Sequence, residues 1–418
     1  MALLGEKGHR TTINGDSVGE ILSDKVATSP SIPETVPSLI EKISLFKERF
    51  NLESSMKRLD LLDAVRSLVY ALEIPRETML RFCWSEPTTR AAIETAIDLG
   101  IFINLCKDDR PKIASKSAKA TGAEEKLMAR IFKHLAAVGV ILETRPDEYR
   151  RTWRSTSLCS QQYINFYRCR SSRKTPGVHA LPAHLRKTGY RNPTNGNDCA
   201  FQLGYNTKSH FFDCMQEHPE IGSPFHDKMS TYSQGELGWS HPSVHPASRL
   251  TDGVCTGDND VILVDMGGGQ GYDISKFRSQ WPDIPGQPIL QDLPGVIAQA
   301  KTKALHSSIE PMEHDFFKEQ PIKGARAYFI HFIFHDWSDR DSHRILKNLT
   351  PAMSPGYSKL LIHDRVITET EAYWESTSLG LVMMANLGGI ERTTAEWYAL
   401  LESARLKTVN ILDFSPWY

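Results

Sequence analysis

The chain predicts an α/β fold built on a doubly wound parallel sheet, preceded by a mainly helical half. Three observations carry that expectation. From Asp258 onward, strand-like and helix-like segments alternate, as they do when helices cover both faces of a parallel sheet. The first strand, in "VILVDMGGGQG" (Val261–Gly271), runs from aliphatic residues into an acid and a glycine-rich turn. Ligands of such sheets sit at the carboxyl ends of the strands. Before Asp258 the apolar residues recur at helical spacing. A chain of 418 residues is expected to form two cores rather than one.

In order, residues 1–36 are polar and closed by prolines, which reads as a flexible arm. Residues 37–155 carry the helical periodicity. "SLIEKISLFKERF" and "RLDLLDAVRSLVYALE" are amphipathic helices, and "TRAAIETAIDLGIFINL" is another, with Gly100 as its stop. "GAEEKLMARIFKHLAAVGVILET" places Leu127, Ile131, Leu135 and Val138 in one stripe before a turn at Pro146-Asp147. Helix, turn, helix and small wing read as a winged-helix module, a type that often binds DNA, so DNA binding is a rival function at this point. Residues 156–250 form a helical linker, and residues 251–418 hold the sheet. There, "YDISKFRSQW" has Ile274, Phe277 and Trp281 on one face; "QPILQDL", "ARAYFIHFIF" and "SKLLIHDRVI" are further strands. "SDRDSHRILKNL" is a helix opened by Ser338 with Asp341 in a capping-box position.

Composition narrows the functions open to this fold. Lys and Arg number 49 against 50 Asp and Glu, so the overall charge gives no argument for a polyanionic partner. Arg145–Arg191 is locally basic, with Asp147 and Glu148 as its acids, and reads as a solvated or intersubunit face. The seven cysteines are scattered and contain no C-x-x-C pair, a pattern of reduced thiols rather than of disulfides or a zinc site. The N-terminus lacks the apolar run of a signal peptide, and no stretch approaches the roughly 18 apolar residues of a membrane span. A soluble cytoplasmic protein is expected.

The glycine turn separates candidate ligands. A nicotinamide fingerprint, G-x-G-x-x-G, meets Tyr272 in one frame and Ile274 in the other, and no G-K-[ST] follows for a phosphate loop. The pattern that fits is D-x-G-G-G-x-G: Asp265, then Gly267, Gly268, Gly269 and Gly271. Glycines let the backbone lie against a ligand without Cβ interference. An acid before them welcomes a cation and repels a dinucleotide's phosphates. S-Adenosylmethionine, with an α-ammonium, a sulfonium and no phosphate, meets that description. Asp292 in "LQDLP" ends the next strand, where it suits accepting from both ribose hydroxyls. Asp315 in "EHDFF" suits the adenine amino group, with Phe316 packing on the ring. Each feature alone has an ordinary reading as a turn or helix cap; their order on successive strand ends points to an adenosyl ligand.

Together, "DMGGGQG", "LQDLP", "EHDFF", "FIFHDWSD" and "GGIERTTAEW" resemble the motifs of plant and fungal class I O-methyltransferases of the caffeic-acid type, with the fungal secondary-metabolite branch nearest. The likeness runs from about residue 60 to the C-terminus. It implies a Rossmann-like methyltransferase sheet, S-adenosylmethionine as methyl donor, no metal, and a small phenolic substrate such as a polyketide. It also implies a winged-helix domain used for homodimerisation and the substrate pocket, which removes the nucleic-acid reading. Carried onto this sequence, the His of "HDW" makes His335 the catalytic base. The acids around it are Asp364 in "LLIHDRVI" and Glu391 in "ERT"; Asp336 and Trp337 line the cofactor pocket. The family more often has glutamate where Asp364 stands, so this acid reaches one methylene less. Met383 and Asn386 in "LVMMANLGG" are candidates to touch substrate, although a methionine pair on a helix is also ordinary core packing.

The chemistry holds without the resemblance. A phenol with a pKa near 10 is a poor nucleophile at neutral pH, and an imidazole near 6.5 is matched to take its proton as attack begins. A carboxylate on the other ring nitrogen fixes the tautomer and supports the imidazolium. Outside that motif context the ordinary readings are the favoured ones: His335 as a strand-end histidine bonded to a carbonyl, and Asp336 and Glu391 as helix-end charges.

Two stretches depart from the family pattern. "STSLCSQQYINFYRCRSSRKTPGV" (Ser155–Val178) is more basic and less apolar than expected of a helix beside a substrate pocket. "LKTVNILDFSPWY" ends the sequence after an expected sixth strand, without the antiparallel strand that follows in the family. A missing strand leaves an unpaired sheet edge. The alternative to an active enzyme is therefore a truncated, impaired relative acting as a cofactor-binding or scaffold protein.

Overall fold

The computed structural model describes residues 24–46, 55–169, 175–218, 238–242, 244, 248–251, 260–302 and 305–411. The chain divides into two compact units between Thr156 and Ser157. Of the expected arm, residues 1–23 lie outside the described residues, and a short helix, Asp24–Thr28, falls within its remainder. No helix among the described residues is long and apolar enough to cross a membrane.

The first unit contains α1 (Val36–Phe46), α2 (Ser55–Leu72), α3 (Glu86–Asp98), α4 (Ala114–Thr121) and α5 (Glu125–Ala137). Gly100 adopts φ 66°, a left-handed conformation open to glycine, and stops α3 as expected, with a second helix, Ile101–Cys106, following it. On α5 the buried stripe is Met128, Ile131, Phe132 and Leu135, while Leu127 is exposed. Ile131 and Leu135 thus keep their expected places, while Met128 and Phe132 are buried in place of exposed Leu127 and half-buried Val138. Strands β1 (Lys112–Ile113), β2 (Ile141–Arg145) and β3 (Glu148–Arg151) form an antiparallel sheet in the order β1-β3-β2. The β2–β3 hairpin turns at Asp147 with φ 61°. Fully buried Tyr149 meets Phe132 edge-on at 4.9 Å, which fixes the hairpin to α5.

The second unit opens with helices, among them Gln161–Cys169 within the stretch that departs from the family, then α6 (Thr175–Lys187), α7 (Ala200–Tyr205) and α8 (Phe211–Glu217). Its sheet is formed by β4 (Val261–Met266), β5 (Gln287–Asp292), β6 (Glu310–Glu313), β7 (Ala327–His331) and β8 (Lys359–His363). All neighbours are parallel, in the order β6-β5-β4-β7-β8. From β4 the chain builds outward first to one side and then to the other, and that reversal opens a crevice at the carboxyl ends of β4 and β7. Alternate residues of β4 enter opposite cores. Leu263 packs with Ile274 and Phe277 of α9 (Tyr272–Gln280) and Ile297 of α10 (Pro294–Thr302); Val264 packs with Ile345 and Leu346 of α11 (Asp339–Leu349). Burial on both faces explains the near-continuous apolar runs. Ser338 caps α11, accepting from the Asp341 N–H.

The structure differs from the sequence reading in two strands. β7 stops at His331 rather than running through "FIF", for a reason that belongs to the site below. Of the expected sixth strand, Leu406–Ile411 carry no strand and residues 412–418 lie outside the described residues. Among the described residues, β8 is therefore an edge of the sheet.

Candidate active site

The site begins where β7 ends. Phe332 takes φ 51°, a left-handed conformation that is strained for a bulky side chain. It turns the chain out of the sheet into a 3-10 turn, Phe334–Asp336, and stacks its ring on the His335 imidazole at 5.1 Å and 22°. His335 is 6% exposed. Its Nδ1 lies 2.6 Å from Glu391 Oε1, and its Nε2 lies 3.5 Å from Asp336 Oδ1.

Glu391 reaches His335 through a two-residue parallel ladder. β9 (Val366–Ile367) pairs with β10 (Arg392–Thr393), Val366 opposite Arg392. Between them run α12 (Trp374–Leu387) and "GGIE"; α13 (Thr394–Ser403) follows, capped by Thr393. Asp364, just ahead of β9, is buried with neither carboxyl oxygen hydrogen-bonded. Of the two acids implied by the family likeness, Glu391 thus holds the ring and Asp364 makes no bond to it.

Burial opposes a charge on His335, but the Asp336 charge, the Glu391 hydrogen bond and charge, and the Asp364 charge outweigh it and raise the imidazole to about 9. Burial pushes Asp364 up to about 7, with His335 drawing it back and Glu391 raising it further. Three acids around one imidazole cannot all ionise cheaply, and Asp364 gives way.

The glycine turn lies across the crevice. The Gly267 and Gly268 N–H groups donate to Gln291 O at 2.7 and 3.2 Å, binding the turn to β5. A Cβ on Gly268 would lie 2.5 Å from Asp265 Cγ and 2.6 Å from Leu290 Cδ1, so no side chain fits. One on Gly269 would meet nothing within 4 Å, which leaves that side open to a ligand. Gly271 is left-handed, at φ 80°, and opens α9.

Asp265 is 1% exposed, and its Oδ2 is buried without a partner. Burial, then the charges of Asp273 and Asp292, raise its pKa well above the usual carboxylate range. A carboxyl held this way fits a ligand that brings its own cation. Asp292 Oδ2 accepts from Gly269 N–H at 2.8 Å and Oδ1 from Leu293 N–H at 2.7 Å, leaving lone pairs for hydroxyl donors. Burial lifts it to about 6 against those bonds. Asp315 accepts from Phe317 N–H at 2.9 Å. The Phe316 ring borders Gly267, and Trp337 stacks on His210 at 5.3 Å and meets Phe317 edge-on at 4.7 Å.

Met383 packs with Cys199, Phe201, Phe211 and Leu387. Asn386, fully buried, donates to Val382 O at 2.9 Å and abuts Gly177, where a Cβ would lie 2.4 Å from its Oδ1. Both side chains are held by helix packing.

Sequence reasoning missed a second polar group. His331 Nδ1 lies 2.7 Å from Asp273 Oδ2, and the His331 ring stacks on His363 at 4.1 Å and 8°. Burial, then the His331 charge, lower His363 to about 3. The signal was present: "YFIH" and "LLIH" each end a strand in histidine, and the two are register partners.

Comparison with known proteins identifies the family. A family model described as an O-methyltransferase domain matches residues 259–407. The chain is 33% identical to the O-methyltransferase mpaG of Penicillium roqueforti over 92% of its own length and 96% of that protein's. It is 34% identical to demethylsterigmatocystin 6-O-methyltransferase of Aspergillus parasiticus, covering 78% of this chain and 82% of the other. Among solved structures, a pericyclic reaction enzyme superposes with a TM-score of 0.82 at 29% identity, over 91% of this chain and 96% of that one. LepI in complex with SAM gives 0.81 at 28%, over 91% and 97%. With the glycine cradle, its unpartnered acid and the buried His335–Glu391 pair in place, the chain belongs to the S-adenosylmethionine-dependent O-methyltransferase family, in its fungal secondary-metabolite branch.

Proposed function

We propose that this protein methylates a phenolic hydroxyl of a small aromatic secondary metabolite, such as a polyketide, with His335 as general base. The observation that carries the reading is the buried His335–Glu391 contact of 2.6 Å at the crevice. Nδ1–H donates to Glu391, so the lone pair of Nε2 is left for the phenol proton. Glu391 supports the charge that develops on the ring, and Phe332 limits its rotation. In the free protein the carboxylates hold a proton on His335 through neutral pH, so the ring becomes a base only once that proton is lost. S-Adenosylmethionine supplies an electrophilic methyl group on a sulfonium. Asp265, Gly267, Gly268, Gly269, Gly271, Asp292, Asp315, Phe316, Asp336 and Trp337 form its cradle in this reading, and positioning supplies much of the rate.

The first unit serves as a homodimerisation element in this reading, supported by the exposed Met79, Phe82 and Trp84. Basic side chains near its hairpin are paired with acids, Lys112 with Asp108 and Arg151 with Asp109, which argues against a phosphate-binding face. Light scattering of the purified protein tests the dimer. Incubation with methyl-labelled S-adenosylmethionine and a panel of phenols tests the activity. Label transfer to a phenol, abolished in His335→Ala while S-adenosylhomocysteine still binds, is the expected result. Transfer that survives the substitution overturns the base assignment, and donor binding without transfer to any phenol overturns the substrate class.

A further inference from the structure

We propose that Arg392 is a positioning residue that sets His335 against Glu391. The inference rests on His335 being the base. Arg392 is fully buried, and its guanidinium is spent on the turn that carries the imidazole. Nη1 donates to Phe334 O at 2.9 Å, just before the base, and Nη2 to Trp337 O at 3.1 Å, just after it. Nε and Nη2 both reach Asp339 Oδ1, at 3.0 and 2.8 Å, and Nη2 also reaches Ser342 Oγ at 3.0 Å in the first turn of α11. The Trp397 ring covers the cation, 5.4 Å from its centre.

The neighbouring residues complete the clamp. Ile390 N–H donates to His335 O at 3.0 Å. A Cβ on Gly389 would lie 2.2 Å from the same oxygen, so glycine alone permits the approach. Three carbonyls along the 3-10 turn are therefore fixed from residues 390 and 392, and Glu391, between those two, is presented to Nδ1. A planar fork with five donors can bracket a turn in this way; lysine, a point charge with three rotating donors, cannot hold both carbonyls at once. Arg392 touches neither reacting group in this reading and acts through the His335–Glu391 distance.

The test follows the His335 ring directly, without substrate or donor. Protein carrying ¹³C-labelled histidine is titrated by NMR, with the His335 signal assigned by its loss in His335→Ala. In Arg392→Lys the contact with Glu391 loosens, and the ring titrates lower by half a pH unit or more, about a threefold loss of proton affinity. On the Glu391→Gln background the same substitution moves the titration little, since the anion it positions is gone. Asp339→Asn removes the guanidinium's anionic partner at the exposed end of the clamp and gives a smaller shift in the same direction; it carries the test alone if Arg392→Lys does not fold. Folded variants that keep the wild-type titration, or that shift it equally on both backgrounds, overturn the proposal. Neither result bears on whether His335 is the base, which the labelled-methyl assay decides separately.

Discussion

Replacing Asp265 with asparagine should change the free and the donor-bound protein in opposite directions. The carboxyl is 1% exposed, one oxygen has no partner, and burial with the charges of Asp273 and Asp292 raises its pKa well above the usual range. A buried carboxyl held above the ordinary carboxylate range costs the fold stability as pH rises from that range toward the raised value. The sign follows from the direction. A raised folded-state value gives stability that is complete below about pH 4 and is lost as pH climbs toward that value. Asparagine bears no such cost but brings amide hydrogens that need acceptors, worth roughly 1–3 kcal/mol. The donor-free variant therefore gains on wild type as pH rises, and its Tm climbs relative to wild type in the same direction. The gap closes as pH is lowered toward about 4. Thermal melts with and without S-adenosylhomocysteine read both sides. Wild type at 100 times the dissociation constant gains about 2.7 kcal/mol from ligand, and the variant loses most of that gain because the anion is gone. A variant that gains nothing on wild type as pH rises and keeps the full ligand shift refutes the reasoning.

Three further outcomes are expected. Glu391→Gln removes the anion that holds the His335 proton, so the limb of the free-enzyme kcat/KM profile moves from near 9 to lower pH. Loss of this buried charge-assisted bond lowers kcat roughly 10- to 150-fold, and pH–rate profiles check both effects. Gly268→Ala drives a methyl group into Asp265 and Leu290; overpacking of about 1–3 kcal/mol lowers the Tm and should abolish donor binding by calorimetry. Wild-type donor affinity falls as pH is lowered through about 6, where Asp292 takes up a proton and becomes a weaker acceptor, and Asp292→Asn should flatten that dependence.

The parallel sheet was legible because buried strands leave apolar runs and the turns between them leave glycine. The tight glycine turn was legible for the same reason: Gly268 can be nothing larger, and the acid ahead of it is unexpected in a buried strand. The end of β7 was not, because Phe332 and Phe334 prolong the apolar run while one turns the chain and the other packs into the core against Trp397. The stripe of α5 was misjudged at its start because both Leu127 and Met128 satisfy helical spacing. Arg392 was invisible for a different reason. A buried arginine that binds backbone carbonyls leaves no pattern, since every residue carries a carbonyl.

The ladder of β9 and β10, which sets the position of Glu391 just ahead of it, has only two residue pairs. Side chains alternate along a strand, so a slip of one position would turn Glu391 away from His335 and silence the ring without disturbing the main sheet. Gly389, Ile390 and Glu391 share that constraint, since they approach the His335 turn just ahead of β10. Helix α12, looped out between the two strands, is anchored separately, through Met383 and Leu387 against Phe201 and Phe211. The proposed base and its acid thus depend on one short seam at the rim of a much larger sheet.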